Sequence, residues 1–334
     1  MTVNAAELLR QFRALGGTAE NVCIGRGSHG YGVFAVIPNR PVRLTVPSQL
    51  LISPQSLSLT PAGDLEVKNG SGLTADIAAF HAQYQRSFGW GAGGFEKVKQ
   101  YRQQLCDLPG ALKNFLLILG CPNDLSQLPT PEQAFKEHCI SRQIAVFGTS
   151  RLMPVLELIN YGSNGAPYIV TQDGVSLSGT FEHEVFARYR QTMDAFHFFF
   201  NYRFATPGRS TLSCEVTVDI PQFKPLRITR LDGLSDVTNG ARWPRVSTNK
   251  DEIHLSFVEL VNLDTPTLPR QIFNELLSAQ GLASCRADQL FDGLVDHNRQ
   301  VLQDFLRACE NAAGQVVESL KVVAGYQLSN LRLV

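Results

Sequence analysis

Residues 25–36 read GRGSHGYGVFAV, a glycine-rich segment that can lead either into a helix or back into a strand. Gly25, Gly27 and Gly30 spell G-x-G-x-x-G. With that spacing a dinucleotide fold turns from a strand into a helix whose N-terminus holds a pyrophosphate. Here the chain continues Tyr31-Gly32-Val33-Phe34-Ala35-Val36-Ile37-Pro38, which is β-like and then blocked by proline. The dinucleotide reading fails for want of a helix. A kinase glycine loop fails too, because its valine position holds Gly32 and no HRD or DFG occurs later in the chain. The Walker A lysine is absent. What remains is a strand–turn–strand in which Gly30 and Gly32 let another group approach the backbone closely. An ordinary glycine-rich hairpin has the same pattern.

Upstream, Leu8, Leu9, Phe12 and Leu15 recur at helical spacing, and Gly16-Gly17 ends that helix. Downstream to residue 52, apolar pairs and triplets broken by Gly and Pro predict short strands with tight turns. Helices are predicted over 74–86, 95–105, 112–119 and 132–147. The β signal returns between 152 and 230, in YIVTQDGVSLSG (168–179) and STLSCEVTVDI (210–220), around an aromatic-rich stretch at 186–204. The polar segment 231–251 reads as a loop or linker. After Pro269 there are three apolar faces, marked by Ile272 and Leu277, by Leu294 to Cys309, and by Val316 to Val323. Strands, helices, strands and a helical tail make an α+β chain.

Composition bounds the function. The chain has 334 residues, 44% hydrophobic and 18% charged, which is a folded composition with room for two or so modules. Lys plus Arg and Asp plus Glu are 30 each, so no bulk attraction to nucleic acid or an anionic membrane is expected. No apolar run could cross a bilayer, and the first residues carry no secretory h-region. The seven cysteines include no CxxC pair, which predicts buried thiols in a reducing, cytoplasmic setting. The histidines show neither HxxxH nor HExxH spacing, so no metal is expected, and Gly162-Ser163-Asn164-Gly165 lacks the form of a nucleophile elbow.

Three further segments narrow the reading. They are CISRQIAV (139–146), RLMPVLELINYGSN (151–164) and EHEVFARYRQTMDAFHFFFNYRFA (182–205). Together with the glycine segment and VPSQLLIS (46–53), their order resembles the SET-domain protein methyltransferases. The resemblance is to the subgroup like the Rubisco large-subunit methyltransferase and the actin-histidine methyltransferase. It covers about residues 22–205 and extends more weakly over the helical tail. It implies a SET-type β fold with a knot-like crossing, a helical insert and a C-terminal helical domain. The implied layout is an N-terminal helix (1–20), two SET parts (21–72 and 149–235) around the insert (73–148), an extension (236–264) and the helical domain (265–334).

The resemblance further implies S-adenosylmethionine as cofactor and methyl transfer to a protein side-chain nitrogen, lysine before histidine. Gly30, Tyr31 and Gly32 would lay backbone against the cofactor's methionine end. Arg142 would hold its carboxylate, a task that suits a planar guanidinium. Asn160 and Tyr161 would lie at the crossing beside the adenine. Tyr189 would be the catalytic tyrosine, positioning the methyl through weak CH···O contacts. Tyr202 would line the acceptor channel, where a dry aromatic wall lowers the pKa of an incoming lysine. A protein or peptide substrate would be held partly by the C-terminal helical domain. The sequence departs from the family pattern at Tyr161 (for His), Glu157 (for Asp), and His183, Arg190 and Arg203 (for Gly). The alternative is therefore a SET-like protein that has lost transfer and binds a protein partner.

Overall fold

The computed structural model describes residues 4–28, 30–122, 124–189, 194–230, 237–238 and 241–334. The chain opens with helix α1 (Ala5–Ala14) and six short strands. These are β1 (Thr18–Glu20), β2 (Val22–Gly27), β3 (Gly30–Ala35), β4 (Pro41–Pro47), β5 (Leu57–Leu59) and β6 (Leu65–Val67). Helices α2 (Ala75–Ser87), α3 (Gly94–Cys106), α4 (Gly110–Ile118) and α5 (Pro131–Ile140) come after them. Next are β7 (Gln143–Val146), β8 (Thr149–Leu152), β9 (Asn160–Pro167), β10 (Ile169–Thr171), β11 (Gly174–Thr180) and β12 (Phe186–Arg188). Helix α6 (Ala195–Tyr202) precedes β13 (Ser210–Leu212), β14 (Val216–Val218) and β15 (Leu226–Ile228). The two-residue pair β16 (Val237–Thr238) and β17 (Ala241–Arg242) leads to β18 (Val246–Thr248), β19 (Ile253–Leu255) and β20 (Glu259–Asn262). Helices α7 (Leu268–Ala279), α8 (Ser284–Glu310) and α9 (Gln315–Leu331) complete an α+β chain with a helical C-terminal region. No helix among the described residues is long and apolar enough to cross a membrane.

The chain divides into two compact units, residues 1–100 with 129–190, and residues 101–128 with 191–334. The helical stretch 73–148 thus contributes to both. In the first unit an antiparallel sheet runs β1-β4-β11-β10. Strand β4 reads PVRLTVP and buries Val42, Leu44 and Val46 on one face, as period-two alternation requires. Leu44 lies opposite Leu177 and Val46 opposite Val175. Leu8 and Phe12 of α1 pack into the same core. Strands β9 and β12 pair in parallel, but in an unusual register. Phe186 lies opposite Asn160, whereas the next residue, Ala187, lies opposite Ala166. Residues 161–165 of β9 therefore fall between two successive rungs.

In the second unit α4 and α6 to α9 share one apolar core with β14, β15, β19 and β20. Its polar centre is Asp194, which is 1% exposed. This carboxylate caps α6 by accepting from the Phe196 and His197 amides. It also accepts from the Leu212 amide and from the Gln327 side chain on α9. The buried Arg230 guanidinium lies 2.5 Å away. One carboxylate so joins α6, β13, the end of β15 and α9.

Several sequence expectations need correction. The helix expected over 132–147 stops at Ile140. Beyond it Gln143–Val146 pairs with Thr149–Leu152 across a two-residue turn, in which Phe147 and Gly148 have φ of 46° and 79°. Positive φ at both central residues matches the right-handed twist of the hairpin strands. The aromatic stretch contains helix α6, and Phe196, Phe198, Phe199 and Phe200 are buried in it. The segment read as linker includes β18, which pairs with β19; residues 231–236 and 239–240 lie outside the described ones. Cys121, Cys139, Cys214 and Cys309 are buried, but Cys23 and Cys285 are exposed.

Two substitutions test this packing. Asp194→Ala leaves the Arg230 charge buried and unpaired, and is expected to cost about 3–5 kcal/mol in urea unfolding. Gly165→Ala forces a Cβ to within 2.5 Å of the Ala187 carbonyl carbon. It is expected to cost about 1–3 kcal/mol or more by the same measurement.

Candidate active site

The glycine segment forms the hairpin of β2 and β3, with Gly25 opposite Gly32, Gly27 opposite Gly30, and Cys23 opposite Phe34. Directly opposed residues share a face. Val22, Ile24 and Val33 therefore take the core face, where all three are buried. The other face carries four glycines and only two side chains, Cys23 and Phe34. Gly30 has φ of 102°, a conformation that favours glycine. The Tyr31 side chain belongs to the core face, with its ring 5.0 Å from that of Phe88 and the Arg26 guanidinium 4.9 Å from its centroid. Tyr31 can contribute only backbone to the glycine face.

The Phe34 ring lies over Gly25, Gly27 and Gly32, and the β9–β12 crossing covers part of the same face. A Cβ at Gly32 would lie 2.7 Å from Glu184 Oε1 and 3.2 Å from Asn160 Nδ2. The Asn160 amide donates to Glu184 Oε1 at 2.6 Å. Backbone bonds hold the carboxylate in place, since Ala35 N donates to His183 O and Val185 N donates to Val33 O. Motif spacing singles out Asn160 and Gly32. It does not reveal that Glu184, one letter of the last motif, is the group that joins them.

Tyr189 lies just after β12 and is half-buried. Its hydroxyl donates to the Ile159 carbonyl at 2.7 Å. The hydrogen is committed there, so toward any other group the oxygen acts as an acceptor. Its ring meets Tyr161 at 5.6 Å edge-on and Tyr168 at 6.3 Å stacked. Tyr168, which no sequence motif marks, is itself tied to Leu156 O. Ile159, Asn160 and Tyr161 are consecutive, so the tyrosine group and the Asn160–Glu184 pair meet on one short segment.

Arg142 starts just past α5, not inside a helix, and is half-buried. It donates to Ser141 Oγ at 3.1 Å, while its Nε is buried without a hydrogen-bond partner among the described residues. Its charge acts on Glu157, which lies three residues before Asn160 and is 9% exposed. Burial pushes the Glu157 carboxyl up to about 7, while the Arg142 charge and the Tyr84 hydroxyl pull the other way. Burial, and then the Glu157 charge, push the Cys139 thiol up to about 12.

Tyr202 belongs to the second unit, at the end of α6. Its ring lies 4.6 Å from Phe198 and 6.4 Å from Phe204. The next residue, Arg203, stands where the family pattern has glycine, yet it adopts φ of 67° and closes α6 by donating its amide to Phe199 O. Its guanidinium lies 5.2 Å from the Tyr101 ring centroid. Arg190 and His29 lie outside the described residues.

No protein-family model and no curated protein matches the sequence. Among solved structures, the chain is similar to Rubisco LSMT bound to AdoMet, with 14% identity over 100% of this chain and 91% of that one and a TM-score of 0.46. It is also similar to the SET domain of LSMT bound to lysine and AdoHcy, with 14% identity over 99% and 89% and a TM-score of 0.42. Rubisco LSMT bound to sinefungin and monomethyllysine gives 15% identity over 100% and 90% and a TM-score of 0.44.

The buried carboxyl makes a prediction about pH. The Glu157 value rises on folding from 4.5 to about 7. Between those values the folded chain holds a proton that the unfolded chain has lost. Its contribution to stability is therefore full at low pH and is lost as pH climbs through 7. His81 opposes this. It is buried with Nε2 3.1 Å from Leu50 O, and burial lowers it from 6.5 to about 4. Stability from that group is lost as pH falls through the same range, so the wild-type profile is flattened. Glu157→Gln removes one side of the balance. Its stability relative to wild type, from urea unfolding, is expected to grow by on the order of 3 kcal/mol between about pH 5 and 7.5.

Proposed function

We propose that the chain is a SET-type protein methyltransferase that transfers a methyl group from S-adenosylmethionine to a lysine side chain. The observation that carries this reading is the convergence on residues 159–161. There the Tyr189 hydroxyl is anchored to Ile159 O and the Asn160–Glu184 pair abuts Gly32. Gly25, Gly27 and Gly32 lie beneath the Phe34 ring and the Glu184 side chain, and Gly30 leaves backbone that a ligand can approach closely. The buried, unpartnered Nε of Arg142 leaves the guanidinium with donor capacity for a carboxylate. These features fit the cofactor. Gly30 to Gly32, Arg142, Asn160 and Tyr161 would hold it, with Tyr161 in place of the family's histidine.

When bound, S-adenosylmethionine supplies an activated methyl on a sulfonium. The chain's own part is orientation. The Tyr189 oxygen, its hydrogen held by Ile159 O, accepts weak CH···O or N–H contacts from the reacting groups. The rings of Tyr161 and Tyr168 fix its plane. Tyr202 is proposed for the acceptor channel. The α7–α9 helices of the second unit are proposed to contribute to holding a protein substrate, with Val322 on α9 an exposed apolar candidate. The unbridged cysteines fit a reducing, cytoplasmic setting.

Calorimetric titration with S-adenosylmethionine and S-adenosylhomocysteine tests the cofactor site. Saturable binding is expected, weakened at least about tenfold by Asn160→Ala or Arg142→Ala. With a methyl-accepting substrate in hand, Tyr189→Phe is expected to lower turnover roughly a hundredfold while leaving cofactor affinity nearly unchanged. Well-folded protein that binds neither compound would overturn the reading.

A further inference from the structure

The first unit holds a half-open cavity of about 540 Å³ whose lining shares no residue with the candidate active site. Four segments build it. They are the turn after β4, the start of α2, the β7–β8 hairpin, and the turn between β10 and β11. Its size falls within the range of small-molecule sites. One wall is apolar, formed by Leu51, Leu73, Ile77 and Val146.

The charge pattern of the lining is one-sided. Arg151 is its only charged residue, and no carboxylate lines the cavity among the described residues. Arg151 and Thr149 stand two apart on β8 and so share a face, with Val146 opposite Thr149. The Arg151 guanidinium is half-buried and makes no ion pair or hydrogen bond among the described residues. Thr74, which also lines the cavity, caps α2 there, and the positive end of that helix dipole adds to the guanidinium field.

The rim is unusual as well. Phe147 sits at the hairpin tip with 70% of its surface exposed and φ of 46°. An aromatic residue in that conformation is strained, and such strain gathers where a chain engages something.

We propose that this cavity binds a small organic monocarboxylate with an apolar chain or ring. The carboxylate pairs with Arg151. The apolar body lies along Leu73, Ile77 and Val146, beneath Phe147. One guanidinium and neutral polar neighbours suit a single negative charge. A phosphate dianion would call for further cations, which the lining does not have.

The test titrates the full chain with 3-phenylpropionate and octanoate, and with the neutral 3-phenylpropanamide as control. Saturable binding of at least one acid is expected, with the amide about tenfold weaker or more. Arg151→Gln is expected to weaken the acid about tenfold or more and to leave the amide unchanged, with Arg151→Lys between. Because Arg151 has no partner to lose among the described residues, both variants are expected to keep the wild-type circular dichroism. Titration of Arg151→Gln with S-adenosylmethionine is expected to match wild type, which keeps this site separate from the one proposed above. Absence of saturable binding of either acid, equal affinity for acid and amide, or wild-type affinity in Arg151→Gln would each overturn the proposal.

Discussion

Strand β12 can lie against β9 only because Gly162 and Gly165 have no side chains. A Cβ at Gly162 would stand 2.7 Å from Phe186 Cβ, and one at Gly165 would stand 2.8 Å from the Arg188 amide nitrogen. A Cβ does not tolerate contacts that short, so any other residue drives the strands apart. The rest of the site depends on that approach. It brings Glu184 to Asn160 just before β12 and Tyr189 to Ile159 just after it. Two backbone bonds from residues 183–185 to β3 then fix the glycine face at the same place. Segments far apart in the chain meet through backbone and a few short polar bonds, an arrangement that resists small displacements better than long side chains would.

Each unit buries a carboxylate, and the contrast separates structure from chemistry. Asp194 accepts bonds from three backbone amides and one side-chain amide, and pairs with a buried arginine. Nothing more is asked of it than to hold elements together. Glu157 is buried with poorer compensation, and desolvation outweighs the pull of Arg142. A cation that only partly compensates its internal neighbour keeps capacity for another anion. Perturbed groups of this kind gather at functional sites. The position of Glu157, three residues before Asn160, fits that pattern.

What the sequence made legible comes from periodicity. The apolar runs broken by Gly and Pro marked short strands, β4 among them, and the apolar faces after Pro269 became α7, α8 and α9. Local signals failed where tertiary context decided the outcome. The helical pattern of α5 ran on into Ile144 and Val146, and only the Phe147-Gly148 turn, with an aromatic at positive φ, converts the segment to a hairpin. Helix α6 was hidden because its cap, Asp194, draws its stabilisation from residues as distant as Gln327. The motif order brought Asn160, Tyr189 and Gly32 together as candidates. Pattern alone could not show that Glu184 binds the first of them, or that Tyr168 stacks on the second, because those contacts arise from the crossing itself.

Two positions where the sequence departs from the pattern it resembles differ in what they do to backbone and charge. Arg203 replaces a glycine whose usual contribution is access to positive φ, and Arg203 adopts that φ. The cost of a side chain there, about 1–2 kcal/mol, is offset by the α6 cap bond to Phe199 O and by the contact with the Tyr101 ring. The substitution changes what decorates the turn and leaves its course intact. Glu157 in place of aspartate acts differently. One extra methylene carries a carboxylate into a buried site within reach of the Arg142 field. That change alters charge balance while the segment still delivers Ile159 to Tyr189 and Asn160 to Glu184. Motif loss read letter by letter would count both positions against a working site. In conformation and charge, one preserves the backbone frame and the other changes the charge balance beside Arg142.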